Sequence, residues 1–265
     1  MAATVGVLWL HSLLSLSSAD HAITFHSTAM FVRKCVDSHN QYRSIVAPEA
    51  SNMHFMSWDA GLAKTAKAWS KTCKFINNPF LKIPGKGHPY FNSIGENLYI
   101  TPDKFAVEQA IEEWNTDGKH FDYYQNTCVK QQKCDRFTQL IWGDSYKLGC
   151  GANHCKKGIQ NSNLTSGILF VCNYTPSGNL KGELPYIRGP PCTYCGPDFC
   201  RNKLCSDPDR ESISQYPKWK PDFGSASILL SKCFLLLLSI IIHIYILSIL
   251  CKHLGLAVHK DETDF

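Results

Sequence analysis

The sequence predicts an α+β domain in which helices pack on a β-sheet. Helical and strand-like patterns are mixed along the chain instead of alternating as βαβ units. Of the 13 cysteines, 11 lie between Cys35 and Cys205, which indicates an oxidising compartment and excludes a cytosolic enzyme. The composition, 44% apolar and 18% charged, excludes a disordered chain. The net charge of +5 without a long basic run gives no case for nucleic acid.

Four helices are predicted from apolar residues at helical spacing. The first covers residues 28–44, and the second follows Asp59 as its N-cap. The third has Thr101 as its cap and Pro102 as its first residue, and the fourth covers residues 136–144. Three strands are predicted at residues 94–100, 146–152 and 167–174 because these segments are rich in β-branched and aromatic residues.

The two ends of the chain are apolar and are set apart from the domain. Residues 1–19 have an apolar core that is too short to span a bilayer, followed by small residues, which is typical of a signal peptide. A buried N-terminal helix is the alternative.

Residues 233–251 contain no Asp, Glu, Lys or Arg and are flanked by Lys232 and Lys252. Nineteen helical residues at about 1.5 Å each cover most of a hydrocarbon core of about 30 Å. We expect a single-pass type I membrane protein with the domain outside the cell and residues 252–265 as a cytosolic tail. A GPI signal is the alternative, since Gly224, Ser225 and Ala226 precede the apolar run.

Between the domain and this span, residues 181–206 form a cysteine-rich hinge and residues 207–232 a stalk. Four cysteines fall within 14 residues of the hinge, where too few apolar residues exist to build a core, so disulfides are expected to hold it. A zinc site made by the same four cysteines is the alternative.

Four motifs resemble those of the CAP superfamily (cysteine-rich secretory proteins, antigen 5 and pathogenesis-related proteins). They are residues 135–145 (DRFTQLIWGDS), 169–174 (LFVCNY), 94–98 (IGENL) and 39–43 (HNQYR). The resemblance implies a CAP domain at residues 20–180 with a three-layer α–β–α sandwich fold.

The resemblance also implies how the cysteines pair. It implies the bridges Cys73–Cys155, Cys150–Cys172, Cys192–Cys200 and Cys195–Cys205. Cys128 and Cys134 are close enough in sequence to pair with each other. Cys35 is then the odd cysteine. We interpret it as a buried thiol, with an intermolecular disulfide as the alternative.

Many CAP domains carry a pocket of two histidines and two acids, and the histidine pair can hold a divalent metal. The resemblance places His39, Glu96, Asp117 and Arg136 at these positions. Arg136 stands where the family has the second histidine, and its guanidinium has no lone pair to donate to a metal. We therefore predict an ion pair between Arg136 and Glu96, Asp117 or both, with no metal, no cofactor and no catalytic residue.

Other candidate sites carry less chemistry. His54, His88, His120 and His154 match no metal spacing and are interpreted as surface or loop histidines. Asn163 begins a glycosylation sequon in a polar loop, and Asn173 begins a second one on a predicted strand.

Three functions remain compatible with the sequence. The favoured one is a non-enzymatic interaction module that binds an extracellular protein or lipid. Lipid or sterol binding in a groove of the CAP domain is the runner-up, and a metal-dependent hydrolase comes last.

Overall fold

The computed structural model of the protein describes residues 28–102, 104–224 and 226–253. The predicted signal peptide and residues 254–265 of the predicted tail lie outside the described residues. In chain order the helices and strands are α1 (Ala29–Ser44), β1 (Ser57–Trp58), α2 (Ala60–Ser70), β2 (Gly95–Thr101), α3 (Val107–Thr116), β3 (Phe121–Asp122), β4 (Thr127–Cys128), α4 (Asp135–Leu140), β5 (Lys147–Cys155), β6 (Gly167–Thr175), β7 (Phe199–Arg201), β8 (Leu204–Ser206), α5 (Pro208–Glu211) and α6 (Ala226–His253).

A four-stranded sheet with the order β1-β5-β6-β2 forms the centre of the domain. β1 runs parallel to β5, whereas the β5–β6 and β6–β2 pairs are antiparallel. The predicted α+β class is confirmed.

Helices cover both faces of this sheet and give three layers. α2 lies so close to β5 that a Cβ atom added at Gly149 would sit 2.1 Å from the backbone nitrogen of Ala63. The opposite face carries the larger core, to which α1, α3 and α4 contribute Phe31, Trp114 and Leu140. The sheet thus separates two groups of side chains, and the site described below depends on this separation.

The first predicted helix begins within one residue of its predicted start, and the second follows its predicted N-cap, Asp59. The side chains of Thr28 and Asp59 accept hydrogen bonds from the backbone N–H groups of Phe31 and Leu62. The predicted cap of the third helix is wrong: Thr101 is the last residue of β2, paired with Ile168, and α3 begins only at Val107.

The fourth helix is also shorter than predicted and ends at Leu140 instead of residue 144. The buried guanidinium of Arg43 donates hydrogen bonds of 2.7–3.1 Å to the carbonyl oxygens of Leu140, Trp142, Gly143 and Ser145. Carbonyl groups that point to this cation cannot continue a regular helical hydrogen-bond ladder, which explains the early end.

Five disulfides cross-link the domain and the hinge, and they join the cysteines that the sequence analysis pairs. They are Cys73–Cys155, Cys128–Cys134, Cys150–Cys172, Cys192–Cys200 and Cys195–Cys205. Cys35 is a free, fully buried thiol on α1.

The first half of the predicted stalk does not lead away from the domain. Residues 212–223, which we call the strap, run back along α2. The hydroxyl of Tyr216 donates to Asp59 at 2.8 Å, and the indole of Trp219 donates to Thr65 at 3.1 Å. The ring of Phe223 stacks on Phe80 with centroids 5.3 Å apart. Spaced aromatic residues in a proline-containing segment thus find apolar and polar partners on α2 and the loop after it.

The chain continues into α6, whose described side chains at residues 236–249 are exposed. Across residues 28–102, 104–224 and 226–253, no helix combines the length and the apolarity needed to cross a bilayer. The span at residues 233–251 stays a prediction.

Candidate functional site

His39 belongs to the buried core of the domain. Its Nδ1 donates to the carbonyl oxygen of Cys35 at 2.6 Å, one turn earlier in α1. Its Nε2 lies 2.9 Å from the hydroxyl of Tyr174, which donates to it. Burial lowers the pKa of His39 to about 4, so the ring is neutral at physiological pH. Both ring nitrogens are engaged, and neither is free to bind a metal.

The rest of the motif at residues 39–43 holds α1 to the neighbouring loops. The side-chain amide of Asn40 donates to the carbonyl oxygen of Met56 and accepts from the backbone N–H of Met56, at 2.9 and 2.8 Å. Arg43, only 1% exposed, also donates to the carbonyl oxygen of His54. The motif is therefore structural in this protein.

Glu96 lies in β2, apart from His39. One carboxyl oxygen accepts from the backbone N–H of Asn78 at 2.7 Å, while the other, Oε2, is buried without a hydrogen-bond partner among the described residues. Burial raises the pKa of Glu96 to about 8, although the hydrogen bond from Asn78 favours the ionised form. The carboxyl group is mostly protonated at neutral pH.

The sheet places Glu96 and His39 on opposite faces. Glu96 is paired with Asn173 of β6, and Asn173 is paired with Gly149, which faces α2. Side chains of directly paired residues share a face, whereas adjacent residues of a strand point to opposite faces. Tyr174, the partner of His39, therefore faces the α1, α3 and α4 side. The predicted grouping of the four residues in one pocket is wrong.

Arg136 and Asp117 are the two pocket residues that do meet. Arg136 Nε and Nη2 donate to the two carboxylate oxygens of Asp117 at 2.7 and 3.0 Å. Its Nη1 donates to Glu113 of α3 at 2.9 Å. Burial by itself would lower the pKa of Arg136, but the hydrogen bonds and charges of Asp117 and Glu113 raise it above its ordinary value. Arg136 therefore remains a cation. Glu96, the other expected partner, is not among the hydrogen-bond partners of Arg136 in the described residues. The sequence analysis missed Glu113 because this residue belongs to none of the four CAP motifs.

These residues do not fit a metal ion. The nitrogens of His39 are occupied, Glu96 lies across the sheet, and a guanidinium repels a cation instead of coordinating it. Over the described part of the chain, no group of three or more His, Cys, Asp and Glu side chains is arranged to hold a metal.

A cavity lies between the CAP domain and the hinge, and we call it the aromatic groove. It has a volume of about 850 Å³. Its aromatic lining residues are Tyr123, Tyr124, Trp142, Tyr186 and Tyr194, and its polar ones are Asn52, His54, Asp144, Glu183 and Arg188. Several segments distant in sequence supply them, which is why the sequence analysis missed this site.

The aromatic groove combines two buried tyrosines, Tyr123 and Tyr186, with two exposed ones, Tyr124 and Tyr194. The rings of Tyr123 and Tyr186 stack at 4.8 Å, and the Tyr123 hydroxyl donates to the carbonyl oxygen of Tyr186. Tyr124 and Tyr194 are 68% and 67% exposed, and the guanidinium of Arg188 lies 5.3 Å from the centroid of the Tyr124 ring. Rigid aromatic side chains next to an arginine are typical of protein-binding surfaces.

The structure also places three further candidate residues from the sequence analysis. His88 lies in a loop but is fully buried: its Nε2 donates to Asp59 at 3.1 Å, and its Nδ1 accepts from two backbone N–H groups. Asn173 is 0% exposed and cannot carry a glycan in this fold. Asn163 is exposed and stays a predicted glycosylation site.

The model of the cysteine-rich secretory protein (CAP) family matches residues 36–174. This match covers more than half of the chain. The protein belongs to the CAP family. Its homologues in that family are extracellular or secreted proteins, in keeping with the five disulfides.

Two curated relatives resemble most of this CAP protein. It is 41% identical to GLIPR1-like protein 1 of Bos taurus over 72% of this chain and 77% of the relative. It is 37% identical to glioma pathogenesis-related protein 1 of Mus musculus over 91% of this chain and 93% of the relative.

Other similarities are partial. Peptidase inhibitor 16 of Homo sapiens is 39% identical over 65% of this chain, which spans 35% of that protein. Among solved structures, Na-ASP-1 matches with a TM-score of 0.53 and 26% identity over 65% of this chain and 46% of that one.

Proposed function

We propose that this protein is a membrane-anchored extracellular CAP protein that acts as a non-enzymatic interaction module at the cell surface. The observation that carries the proposal is the bidentate ion pair of Arg136 with Asp117. It neutralises the position at which CAP domains with a metal pocket have a histidine.

The aromatic groove supports a binding role. Its volume of about 850 Å³ is within the range of about 300–1,000 Å³ of sites that accept ligands or partner side chains. Its exposed tyrosines and Arg188 are the residue types that dominate binding energy at protein interfaces. Since Asp144 and Glu183 are among the residues that line it, we propose that a protein segment with both apolar and basic side chains binds here.

The anchor is proposed from the sequence of residues 233–251 and from the cysteine-rich, disulfide-linked domain before it. Because disulfides form in oxidising compartments, we propose that the CAP domain lies outside the cell and the residues after the span inside. Resistance to alkaline carbonate extraction would support the anchor. Release by a phosphatidylinositol-specific phospholipase would instead support a GPI anchor, and extraction of the intact chain would contradict both.

The hydrolase alternative has less support. A metal-dependent hydrolase needs an open metal site, and His39, Glu96 and Arg136 do not supply one. The Tyr174 hydroxyl donates a hydrogen bond to Nε2 of His39, so this nitrogen has no free lone pair for a metal.

The proposed function is tested by proximity labelling of full-length protein displayed on cells. We expect the double substitution Tyr124→Ala/Tyr194→Ala to reduce labelling of specific surface proteins severalfold. The control, Asp117→Asn, should leave labelling unchanged. A peptide library should show no cleavage by the wild type. Cleavage that is lost in Asp117→Asn, or labelling unaffected by the tyrosine substitutions, would overturn the proposal.

A further inference from the structure

The aromatic groove continues into a smaller cavity, which we call the side pocket. The side pocket has a volume of about 350 Å³ and shares Tyr123, Tyr124 and Tyr186 with the aromatic groove. The two cavities are therefore neighbours, and the three shared tyrosines form the border between them. The rest of the side pocket is mostly apolar, and its lining includes Ala47, Pro48, Phe121, Phe137, Ile141 and one acid, Asp122.

The tyrosines of this border are held in fixed positions. The planes of the stacked Tyr123 and Tyr186 rings differ by 28°, and the ring of Tyr124 stands edge-on to Tyr123 with the centroids 5.8 Å apart. The hydroxyl of Tyr186 donates to the carbonyl oxygen of Pro48 at 2.8 Å, as that of Tyr123 does to Tyr186. Both buried hydroxyls are thus engaged inside the protein. The border therefore offers mainly aromatic surface to a ligand, above all the exposed ring of Tyr124.

The main chain beside the aromatic groove is engaged within the protein. The backbone N–H of Gly143 donates to the carbonyl oxygen of Pro185 at 2.7 Å, and that of Ile187 donates to Oδ1 of Asn52 at 2.8 Å. A ligand that binds as an added β-strand needs free main-chain groups, which these two residues do not offer. A polyproline II segment does not need them, because its backbone stays solvated and its prolines have no N–H group.

The charged residues of the two cavities favour a basic ligand. Three carboxylates, Asp122, Asp144 and Glu183, line them together with one guanidinium, that of Arg188. Burial lowers the pKa of His54, so its ring adds no positive charge at neutral pH. Asp144 and Glu183 are exposed, and neither forms a salt bridge with another residue that the structure describes. A lysine or arginine of a partner would find uncompensated negative charge here.

We propose that the aromatic groove and the side pocket together bind a proline-rich segment of a partner protein in the polyproline II conformation, with a lysine or arginine beside the prolines. This inference rests on the proposed function and names the chemistry of its partner. A polyproline II helix has three residues per turn and rises about 3.1 Å per residue, so prolines on one edge recur every ~9 Å. Such prolines can enter two neighbouring cavities on either side of an aromatic ring. The basic side chain pairs with Asp144 or Glu183.

The test measures fluorescence anisotropy of a labelled synthetic peptide, RPPLPPRPPLPPR, with the full-length protein in nanodiscs. Two analogues separate conformation from charge. The alanine analogue replaces every proline by alanine and so keeps the charge but not the polyproline II conformation, and the glutamine analogue replaces every arginine by glutamine. We expect saturable binding of the peptide, with a Kd at least tenfold higher for the alanine analogue and at least fivefold higher for the glutamine analogue.

Two variants locate the binding site. Ala47→Trp, at an exposed residue of the side pocket, fills that cavity, and we expect it to raise the Kd of the peptide at least fivefold. Its control is Ile45→Trp, because Ile45 is 64% exposed on the same segment and lines neither cavity. Asp144→Asn/Glu183→Gln should raise the Kd of the peptide by a similar factor and leave the Kd of the glutamine analogue unchanged.

The control for this charge variant is Glu112→Gln/Asp209→Asn, at exposed acids elsewhere, which should not change the Kd. Three results would overturn the inference: no saturable binding of the peptide, equal binding of the alanine analogue, or a Kd unchanged in both Ala47→Trp and Asp144→Asn/Glu183→Gln. If Tyr124→Ala/Tyr194→Ala still reduces proximity labelling on cells in such a case, the proposed function stands and only the polyproline II inference is wrong. If that labelling is unaffected as well, both are wrong.

Discussion

Arg136 and Asp117 face each other across α4 and the end of α3, with two parallel N–H···O bonds of 2.7 and 3.0 Å. Glu113 binds the remaining side of the guanidinium at 2.9 Å. This cation and its two acids form a network that needs neither a metal nor a histidine. It accounts for why a CAP domain can keep its fold while it departs from the metal pocket.

A double-mutant cycle measures the strength of this pair. We expect Arg136→Gln and Asp117→Asn to be coupled by about 1 kcal/mol in the free energy of unfolding, because the geometry is bidentate and the arginine is partly buried. The control is Lys203 with Glu49, whose side chains are 55% and 54% exposed at a distance of 2.8 Å. Its coupling should be near zero, as for most exposed pairs. Equal coupling in the two cycles would contradict this account.

Glu96→Gln should stabilise the protein increasingly as the pH rises. The pKa of Glu96 is about 8 in the folded protein against an ordinary value of 4.5, so the folded state retains a proton that the unfolded chain releases between these values. The wild type therefore loses about 1.4 kcal/mol of stability per pH unit in this window through this group, and the glutamine variant does not. Urea denaturation at pH 5, 6.5 and 8 measures the difference.

The control for this series is Glu112→Gln, at an exposed position of α3. It measures the effect of replacing a glutamate by glutamine at a solvent-exposed site. A Glu96→Gln variant whose advantage is constant across the series would show that Glu96 titrates normally.

Arg43→Lys should be strongly destabilising although it keeps the positive charge. The guanidinium donates to five backbone carbonyl oxygens from inside the core, and a lysine has three donors and a different shape. We expect a loss of about 3 kcal/mol in urea denaturation. Arg33→Lys, at an exposed position of the same helix, should change stability by less than about 0.5 kcal/mol. A loss at Arg43 as small as that at Arg33 would contradict the structural role of the motif.

Tyr216→Phe should loosen the strap without unfolding the domain. The substitution removes the hydrogen bond that the Tyr216 hydroxyl donates to the Asp59 carboxylate. We expect the loss of this bond to cost about 1.5 kcal/mol of stability. Amide hydrogen exchange in residues 212–223 should become about tenfold faster, whereas exchange in β5 and β6 stays unchanged. The control is Tyr90→Phe, because Tyr90 is 76% exposed. Unchanged exchange in the strap would mean that this bond does not hold it.

Local signals in the sequence were sufficient for much of the fold. The extent of α1, the N-cap of α2 and the three main strands were predicted because each depends on neighbouring residues. The CAP motifs added the layer architecture and four of the disulfide pairs. The fourth helix was predicted too long because its end is set by Arg43, about one hundred residues earlier in the chain.

The candidate site was harder to predict because it depends on which face of the sheet each side chain occupies. Motif positions alone grouped His39 with Glu96, but the strand register separates them. The strap has the composition of a linker, and only its three-dimensional contacts reveal that Tyr216, Trp219 and Phe223 are spaced to meet α2. The aromatic groove is assembled from loops that long-range hydrogen bonds hold together, such as those from the Tyr123 hydroxyl to the carbonyl oxygen of Tyr186 and from the backbone N–H of Gly143 to Pro185.

The most direct test of the central claim is calorimetric titration of the full-length protein with Zn²⁺. The account predicts no saturable one-to-one binding, because Arg136 is already paired with Asp117 and Glu113. One-to-one binding that is abolished by Asp117→Asn would show that a metal displaces the guanidinium, and it would contradict the account.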